Sequence, residues 1–205
     1  MSLFPNKQNI VTKNPILTNQ STSEPTSISL PKKHLINTAF VPQAPEKNWD
    51  EPWQNACEEA ALLTIDYYYQ NKSPDIQTIK TDLQSLIKTS NDIGVSEMSN
   101  YLPQYKPIII NNPTIDNLKE YLAKNIPIIV PTNGKILFKE NKFFNNQGPE
   151  YHNIVLLGYD DNKQKFTVHD VGTQHGAYFK YSYKLLMESI MDKSSTTKQI
   201  LILLK

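Results

Sequence analysis

Arginine is absent from this sequence, and cysteine occurs only once, at position 57. Every basic side chain is therefore a lysine, and the arginine forks that commonly bind phosphates and base edges are missing. With 21 basic and 20 acidic residues the net charge is +1, so no overall field attracts nucleic acid or an anionic membrane surface. We expect no nucleic-acid partner. The single cysteine also excludes an intrachain disulfide and a zinc site built from several cysteines.

Long apolar runs are absent as well. None approaches the roughly 18 residues that a membrane-spanning helix needs, and residues 1–14 lack the hydrophobic core of a signal peptide. These absences predict a soluble chain with no integral membrane segment. The compartment is not predicted, because a secreted or surface-anchored protein with a trimmed N-terminus would show the same pattern.

The first 36 residues differ in composition from the rest of the chain. They are rich in serine, threonine, asparagine and proline, and their isolated apolar residues follow neither the helical nor the strand period. Such a segment buries too little apolar surface to offset the entropy that ordering costs. The sequence predicts a flexible arm over residues 1–36, followed by one folded domain over residues 37–205.

After the arm, helical patterns dominate first and strand patterns follow. The predicted helices cover residues 56–70, 75–88, 95–102 and 114–124. The predicted strands cover residues 106–110, 126–131, 152–159, 165–171, 176–181 and 199–204, with one more helix between the last two. Helices followed by mostly antiparallel strands indicate an α+β fold rather than alternating βαβ units.

Cys57 lies where a loop is predicted to become a helix. The N-terminus of a helix stabilises a thiolate through unpaired backbone N–H groups and the positive end of the helix dipole. The apolar run over residues 60–63 predicts that this helix passes through the core. Against a reactive thiol, free cysteine is among the most buried residue types, and the negative charges of Glu58 and Glu59 raise the pKa of a neighbouring thiol. Cys57 alone therefore supports both a structural and a catalytic interpretation.

His152 begins the strand pattern "HNIVLLGY", and Asp170 ends the next strand pattern. If residues 160–162 form a three-residue hairpin loop, Asp170 lies directly opposite His152 and on the same face of the sheet. His169 then points to the other face. A two-residue loop would instead place Asn153 opposite Asp170, so the pairing of the imidazole with the carboxylate depends on the turn.

A metal site built from the histidines is a weaker alternative. It would combine His152, His169, Asp170 and His175, but His169 and Asp170 are adjacent on a strand and project to opposite faces. We expect no metal ion and no organic cofactor.

Four segments together resemble the C39-like cysteine peptidase family, which has a papain-like fold. They are "FVPQAP", "NACEEAALLTIDYYY", "YHNIVLLGYDD" and "FTVHDVGTQHGAYFKYS", and the resemblance covers about residues 37–190. It implies an α+β papain-like fold in which a core helix carries the nucleophile and packs on a mostly antiparallel sheet.

The resemblance also implies roles for individual residues. By position, Cys57 is the nucleophile, His152 the general base and acid, and Asp170 the group that orients the imidazole. Gln54 is the expected oxyanion donor, although it lies three residues before the cysteine where papain-like relatives usually have five or six. Gln43 is the alternative donor. The implied activity is that of a bacterial-type thiol hydrolase that cleaves peptide bonds in a peptide or protein substrate.

Two other functions fit the same residues. An acyltransferase or transglutaminase-like enzyme uses the same Cys, His and Asp order with an amine as the acceptor, and a peptide-binding module can keep the fold without activity. The segment over residues 132–151 either lines the substrate cleft or forms a solvated loop.

Overall fold

The computed structural model describes Met1 and residues 29–205. The helices are α1 (Cys57–Gln70), α2 (Ile76–Leu86), α3 (Val95–Met98), α4 (Ile115–Ala123), α5 (Gly134–Leu137) and α6 (Tyr183–Ser189). The strands are β1 (Lys33–Leu35), β2 (Lys106–Asn111), β3 (Ile128–Thr132), β4 (His152–Asp160), β5 (Lys165–Asp170), β6 (Phe179–Ser182) and β7 (Gln199–Leu204). No helix in this part of the chain is both long and apolar enough to cross a membrane.

The strands form one seven-stranded sheet in the order β2-β7-β3-β4-β5-β6, with β1 paired to β4. Every pairing between these strands is antiparallel. The predicted α+β fold, with helices packed on an antiparallel sheet, is therefore confirmed. Strand β4 is buried from His152 to Tyr159, as expected for a strand that has neighbouring strands on both sides and packs against the helices α1 and α4.

Strand β1 lies within the segment that composition predicted to be part of the flexible arm. Lys33–Leu35 pairs with the end of β4, beyond the point where β3 stops, and the following Ile36 is only 3% exposed. Strand pairing therefore begins inside the predicted arm, and the division of the chain at residue 36 stays a prediction. Main-chain hydrogen bonds to a free edge of β4 order the segment without requiring an apolar pattern of its own. The rest of the predicted arm, residues 2–28, lies outside the described residues.

Helix α1 is the core helix that the apolar run predicted. Ala60, Ala61, Leu62 and Ile65 are each at most 1% exposed, and the helix packs against β4. A helix buried on several faces places its first turn, which begins at Cys57, against the sheet. The prediction that the cysteine begins a buried helix is confirmed.

The hairpin between β4 and β5 has a longer turn than predicted. Asp160 pairs with Lys165, so four residues, 161–164, connect the strands, and a β-bulge follows between Leu156 and Gly158. Beyond the bulge, Asp170 lies opposite Ile154. The predicted register, with Asp170 directly opposite His152, is therefore wrong by two residues.

The bulge at Leu157 decides which face Asp170 occupies. Without a bulge, the register set by the pair Asp160 and Lys165 would place Asp170 opposite Val155, on the face away from His152. One extra residue in β4 shifts the register by one and returns Asp170 to the face of Ile154 and His152. The two side chains share a face as predicted, but as diagonal rather than direct neighbours.

Candidate active site

His152 and Asp170 form a buried hydrogen-bonded pair. The imidazole Nε2 lies 2.8 Å from Asp170 Oδ1, and the two side chains are 1% and 0% exposed. Because the partner is a carboxylate, Nε2 carries the proton and donates it, which leaves Nδ1 as the acceptor nitrogen. Gly172 gives the ring its space, since a Cβ there would lie 2.5 Å from His152 Cε1.

Asp170 is held by four donors in all. Besides His152, the backbone N–H of Gly172 donates to Oδ1 at 3.2 Å, and Asn141 Nδ2 donates to Oδ2 at 2.9 Å. The hydroxyl of Tyr181 donates to the same Oδ2. A carboxylate that accepts from four directions keeps a fixed orientation, and it therefore fixes the imidazole ring as well.

Sequence reasoning did not identify Asn141 or Tyr181. Tyr181 pairs with Phe166 on β5. Phe166 lies four residues before Asp170 and on the same face, so strand alternation could have placed Tyr181 on the face of Asp170. Asn141 lies in the loop after α5 and donates to both Asp170 and the Tyr181 hydroxyl. No local pattern marks it, because its contact depends on how that loop folds back onto the sheet.

Cys57 is the first residue of α1 and is 3% exposed. Its Sγ lies 3.0 Å from Glu58 Oε2 and 3.7 Å from Asn153 Nδ2. Burial, followed by the charge of Glu58, raises the pKa of the thiol well above its usual range. No hydrogen bond between Sγ and His152 occurs in the described part of the chain, so the structure joins His152 to Asp170 but leaves the thiol in contact with Glu58.

Glu58 and Glu59 are buried, which their sequence position in the first turn of a helix did not indicate. They are 0% and 2% exposed, and burial raises the pKa of Glu58 to about 7 and that of Glu59 to about 8. A large fraction of both groups is therefore protonated at neutral pH. The repulsion of a thiolate that the sequence predicted is weakened accordingly.

The two candidate oxyanion donors differ in their environment. Gln43 is 5% exposed, and its Nε2 donates to the carbonyls of Trp53 and Gln54 at 3.1 and 2.8 Å. Gln54 is exposed, and its Nε2 donates to a carboxylate oxygen of Glu51. Both glutamines line the cavity that His152 faces. Among residues 29–205, both N–H groups of the Gln43 amide have acceptors, and one N–H of Gln54 has none.

This cavity, of about 240 Å³, lies between the loop that precedes α1 and the loop that precedes β4. Residues 143–146 and 148–149 contribute to its wall, so part of the segment expected to line a cleft does so. Trp49, Phe143 and Phe144 contribute aromatic side chains, and among the described residues His152 is the one ionisable group that lines it. The cavity therefore offers apolar and amide surface beside the imidazole.

His169 lies on the opposite face of β5, as predicted. Its Nδ1 accepts from the backbone N–H of Tyr178 at 3.1 Å, and its Nε2 lies 3.3 Å from the Thr38 carbonyl oxygen. Burial lowers the pKa of His169 to about 4, so the ring is neutral and structural. Within the described residues, no three His, Cys, Asp or Glu side chains are grouped so that they could hold a metal ion.

Comparisons with known proteins give a consistent family assignment. The model of the Peptidase C39 like family matches residues 35–192. A search of the curated proteins gave no match to this chain.

Solved structures of similar fold include three at 14% sequence identity and a TM-score of 0.50. The first is described as a C39-like peptidase from Bacillus anthracis, and the second is the peptidase domain of Streptococcus ComA, a bi-functional ABC transporter involved in quorum sensing. For both of them, 82% of this chain aligns with 98% of the other. The third is xylellain, a cysteine protease from Xylella fastidiosa, with 86% and 87% of the two chains aligned. At this identity the three structures establish the fold, and the family model, which covers most of the chain, establishes that this protein belongs to the Peptidase C39 like family.

Proposed function

We propose that the protein is a cysteine peptidase in which Cys57, His152 and Asp170 cleave peptide bonds. The observation that carries the proposal is the buried His152–Asp170 pair at 2.8 Å, which turns the acceptor nitrogen of the imidazole away from the carboxylate in a fold whose core helix begins with the cysteine. The same ring lines a cavity open to a substrate.

The reaction takes place in two steps. His152 Nδ1 accepts the thiol proton, and Cys57 Sγ attacks the carbonyl carbon of the peptide bond. When the tetrahedral intermediate collapses, the C–N bond breaks and the imidazolium gives its proton to the leaving amine. A water molecule, deprotonated by His152, then hydrolyses the thioester and releases the thiol and the carboxylic acid. For the first step Sγ has to leave its contact with Glu58 and reach Nδ1.

The oxyanion needs preorganised donors beside the attacked carbon. We infer the backbone N–H of Cys57 and the side-chain amide of Gln54, which has an N–H that makes no hydrogen bond among the described residues. Gln43 is the alternative donor, and it would first have to release one of its two carbonyl partners.

The experiment that tests this function follows the alkylation of Cys57 by iodoacetamide as a function of pH. Because the chain has one thiol, all label reports on that residue. We expect fast alkylation below about pH 7 in the wild type and its loss in His152→Ala, since the imidazolium stabilises the thiolate. Cys57→Ala should also abolish hydrolysis of a peptide library.

Other outcomes distinguish the alternatives. A thiol of ordinary reactivity, titrating near about pH 8.5 in both proteins, would contradict the catalytic proposal and favour an inactive peptide-binding module. Products coupled to an added amine, in preference to hydrolysed products, would identify an acyltransferase instead.

The cavity wall predicts the substrate preference. Trp49 and Phe143 contribute aromatic surface, and no described lining residue other than His152 is ionisable, so an uncharged, apolar substrate side chain should bind there. Phe143 is 53% exposed and stacks on His175 at 4.3 Å, so it can be truncated without disturbing the core. We expect Phe143→Ala to raise KM for peptides with apolar side chains by about 3- to 10-fold, with kcat little changed.

The matched control for Phe143→Ala is Ile109→Ala. Ile109 is also an exposed apolar residue, but it lies on the edge strand β2 and does not line the cavity. Its truncation should leave KM unchanged. Equal KM values for wild type and Phe143→Ala across apolar and charged peptides would contradict the assignment of this cavity to substrate binding.

A further inference from the structure

Glu58 is a fully buried carboxyl group in direct contact with the cysteine sulfur. Its Oε2 lies 3.0 Å from Cys57 Sγ, and its Oε1 accepts the backbone N–H of Ile93 at 2.9 Å. The Ile93 carbonyl in turn accepts the hydroxyl of Tyr151 at 3.0 Å. The carboxyl group is therefore held in place on one side and turned toward the sulfur on the other. The chemistry of a cysteine peptidase does not require such a group.

In the described part of the chain, no basic side chain forms an ion pair with Glu58. None of the ion pairs among the described residues includes it, and the nearby ammonium group of Lys193 is 2.9 Å from Asp92 instead. The titratable groups that face Glu58 from the elements around it are Cys57, Glu59, Asp92, Tyr101, Tyr151 and Lys193. A buried carboxyl group with mostly acidic or neutral neighbours has a raised pKa, so it changes between its protonated and ionised forms closer to neutral pH.

The two protonation states of Glu58 have opposite effects on the sulfur. As a carboxylate it accepts a hydrogen bond from the S–H group of Cys57 and repels a thiolate at the same distance. As a carboxylic acid it carries an O–H group that can donate a hydrogen bond to the thiolate. We propose that Glu58 controls the nucleophile: its carboxylate holds Cys57 as a thiol, and its protonated form stabilises the Cys57 thiolate.

This proposal rests on the proposed peptidase function and deepens it. Protonation of Glu58 on the acidic side of neutral pH favours the Cys57 thiolate that is paired with the His152 imidazolium and attacks the substrate. Ionisation of Glu58 on the basic side repels that thiolate, which then takes back the proton from the imidazolium and becomes a thiol. Because burial raises the pKa of Glu58 to about 7, the change falls near neutral pH. The enzyme is therefore active in mildly acidic surroundings.

The test compares Cys57 alkylation in wild type and Glu58→Gln. The Gln amide keeps an oxygen for the Ile93 N–H and presents an N–H to the sulfur at every pH. We expect the wild-type rate constant to fall at least about tenfold between about pH 6 and 8.5, and Glu58→Gln to lack this fall, since one unit of pKa change corresponds to a factor of ten. Superimposable profiles of the two proteins would overturn the proposal.

The matched control is Glu59→Gln. Glu59 is equally buried on the same helical turn, but it makes no hydrogen bond to Sγ in the described structure. Its substitution should keep the fall in the alkylation rate, with a midpoint moved to slightly lower pH because one neighbouring charge is gone. If the alkylation rate of Glu59→Gln were as independent of pH as that of Glu58→Gln, the proposal would be overturned, since the effect would then not depend on contact with the sulfur.

Failure of the proposed function gives a different result. If the thiol is ordinary in both wild type and His152→Ala, the peptidase mechanism is wrong, but Glu58→Gln should still lower the titration midpoint of Cys57 by at least about one unit. Equal midpoints would overturn the role of Glu58 in either case. If Glu58→Gln does not fold, the role of Glu58 is tested by ¹³C NMR titration of its carboxyl carbon in the wild type. Its midpoint should coincide with the fall in alkylation, and a separation of more than about one unit would overturn the proposal.

Discussion

Replacement of Asp170 by alanine is expected to lower the free energy of unfolding by about 3–5 kcal/mol and peptide hydrolysis by about 10²- to 10⁴-fold. Asp170 is 0% exposed and accepts from His152, Gly172, Asn141 and Tyr181. Removing the carboxylate leaves four donors without their acceptor in a site that excludes water. It also frees the imidazole to rotate and to exchange its proton between the two nitrogens, so Nδ1 is no longer fixed as the nitrogen that accepts a proton.

Urea denaturation and kcat/KM measure the two effects separately, and two milder variants separate their causes. Asp170→Asn keeps the side-chain volume and one oxygen acceptor, so it should lose less stability than alanine. Tyr181→Phe removes only one donor to Oδ2 and should cost about 1 kcal/mol, with a small loss of activity. An alanine variant as stable and as active as the wild type would show that Asp170 does not orient His152.

Raising the pH from about 6.5 to about 8 is expected to lower the free energy of unfolding by about 2 kcal/mol. Burial raises the pKa of Glu59 to about 8 and that of Glu58 to about 7, from an ordinary value of 4.5. Between those values and 4.5 the folded protein binds more protons than the unfolded chain does. Stability is therefore gained as the pH falls through this window and lost as it rises.

His169 has the opposite dependence, and it determines where the effect is best measured. Its pKa is lowered from 6.5 to about 4 by burial, so the unfolded chain binds more protons between these values and stability is lost as the pH falls below 6.5. Below about pH 6.5 the histidine and the two carboxyl groups oppose each other. Above about pH 6.5, only the two carboxyl groups among these three contribute, so they set the change of the free energy of unfolding with pH.

Glu59→Gln should remove most of this slope. The readout is the change of the free energy of unfolding with pH, rather than its level at one pH, because a buried amide also changes the packing. Glu97→Gln is the control, since Glu97 is an exposed carboxyl group on the neighbouring helix α3. A Glu59→Gln protein with the same slope as the wild type would contradict the assignment of the slope to burial of this group.

The pairing of His152 with Asp170 shows how far sequence reasoning reached. Strand alternation placed both side chains on one face, and this held although the register was wrong. The turn was longer than predicted and the bulge at Leu157 restored the parity. A bulge is decided by how β4 fits between β3, β1 and β5, which no local pattern in residues 152–170 encodes.

The burial of the residues around Cys57 could not be predicted from the sequence. Two glutamates in the first turn of a helix indicate a solvated, dipole-stabilised position, whereas in the fold Glu58 is 0% exposed and bonds to Ile93 N. The loop that carries Ile93 covers this turn from a distant part of the chain. The sequence predicted that Glu58 carries a negative charge that repels a thiolate. In the tertiary structure burial raises the pKa of Glu58, so its charge beside the sulfur depends on pH.

The sequence by itself determined the α+β order of elements and the core helix beginning at Cys57. These follow from apolar periodicity and strand alternation, which act over a few residues. Only the tertiary structure decided the register and the bulge that put His152 and Asp170 on one face, the extra donors Asn141 and Tyr181 to the carboxylate, and the burial of Glu58. Each of these depends on contacts between segments that are distant in the chain, and the free energy of such contacts is set by the packing of the whole domain.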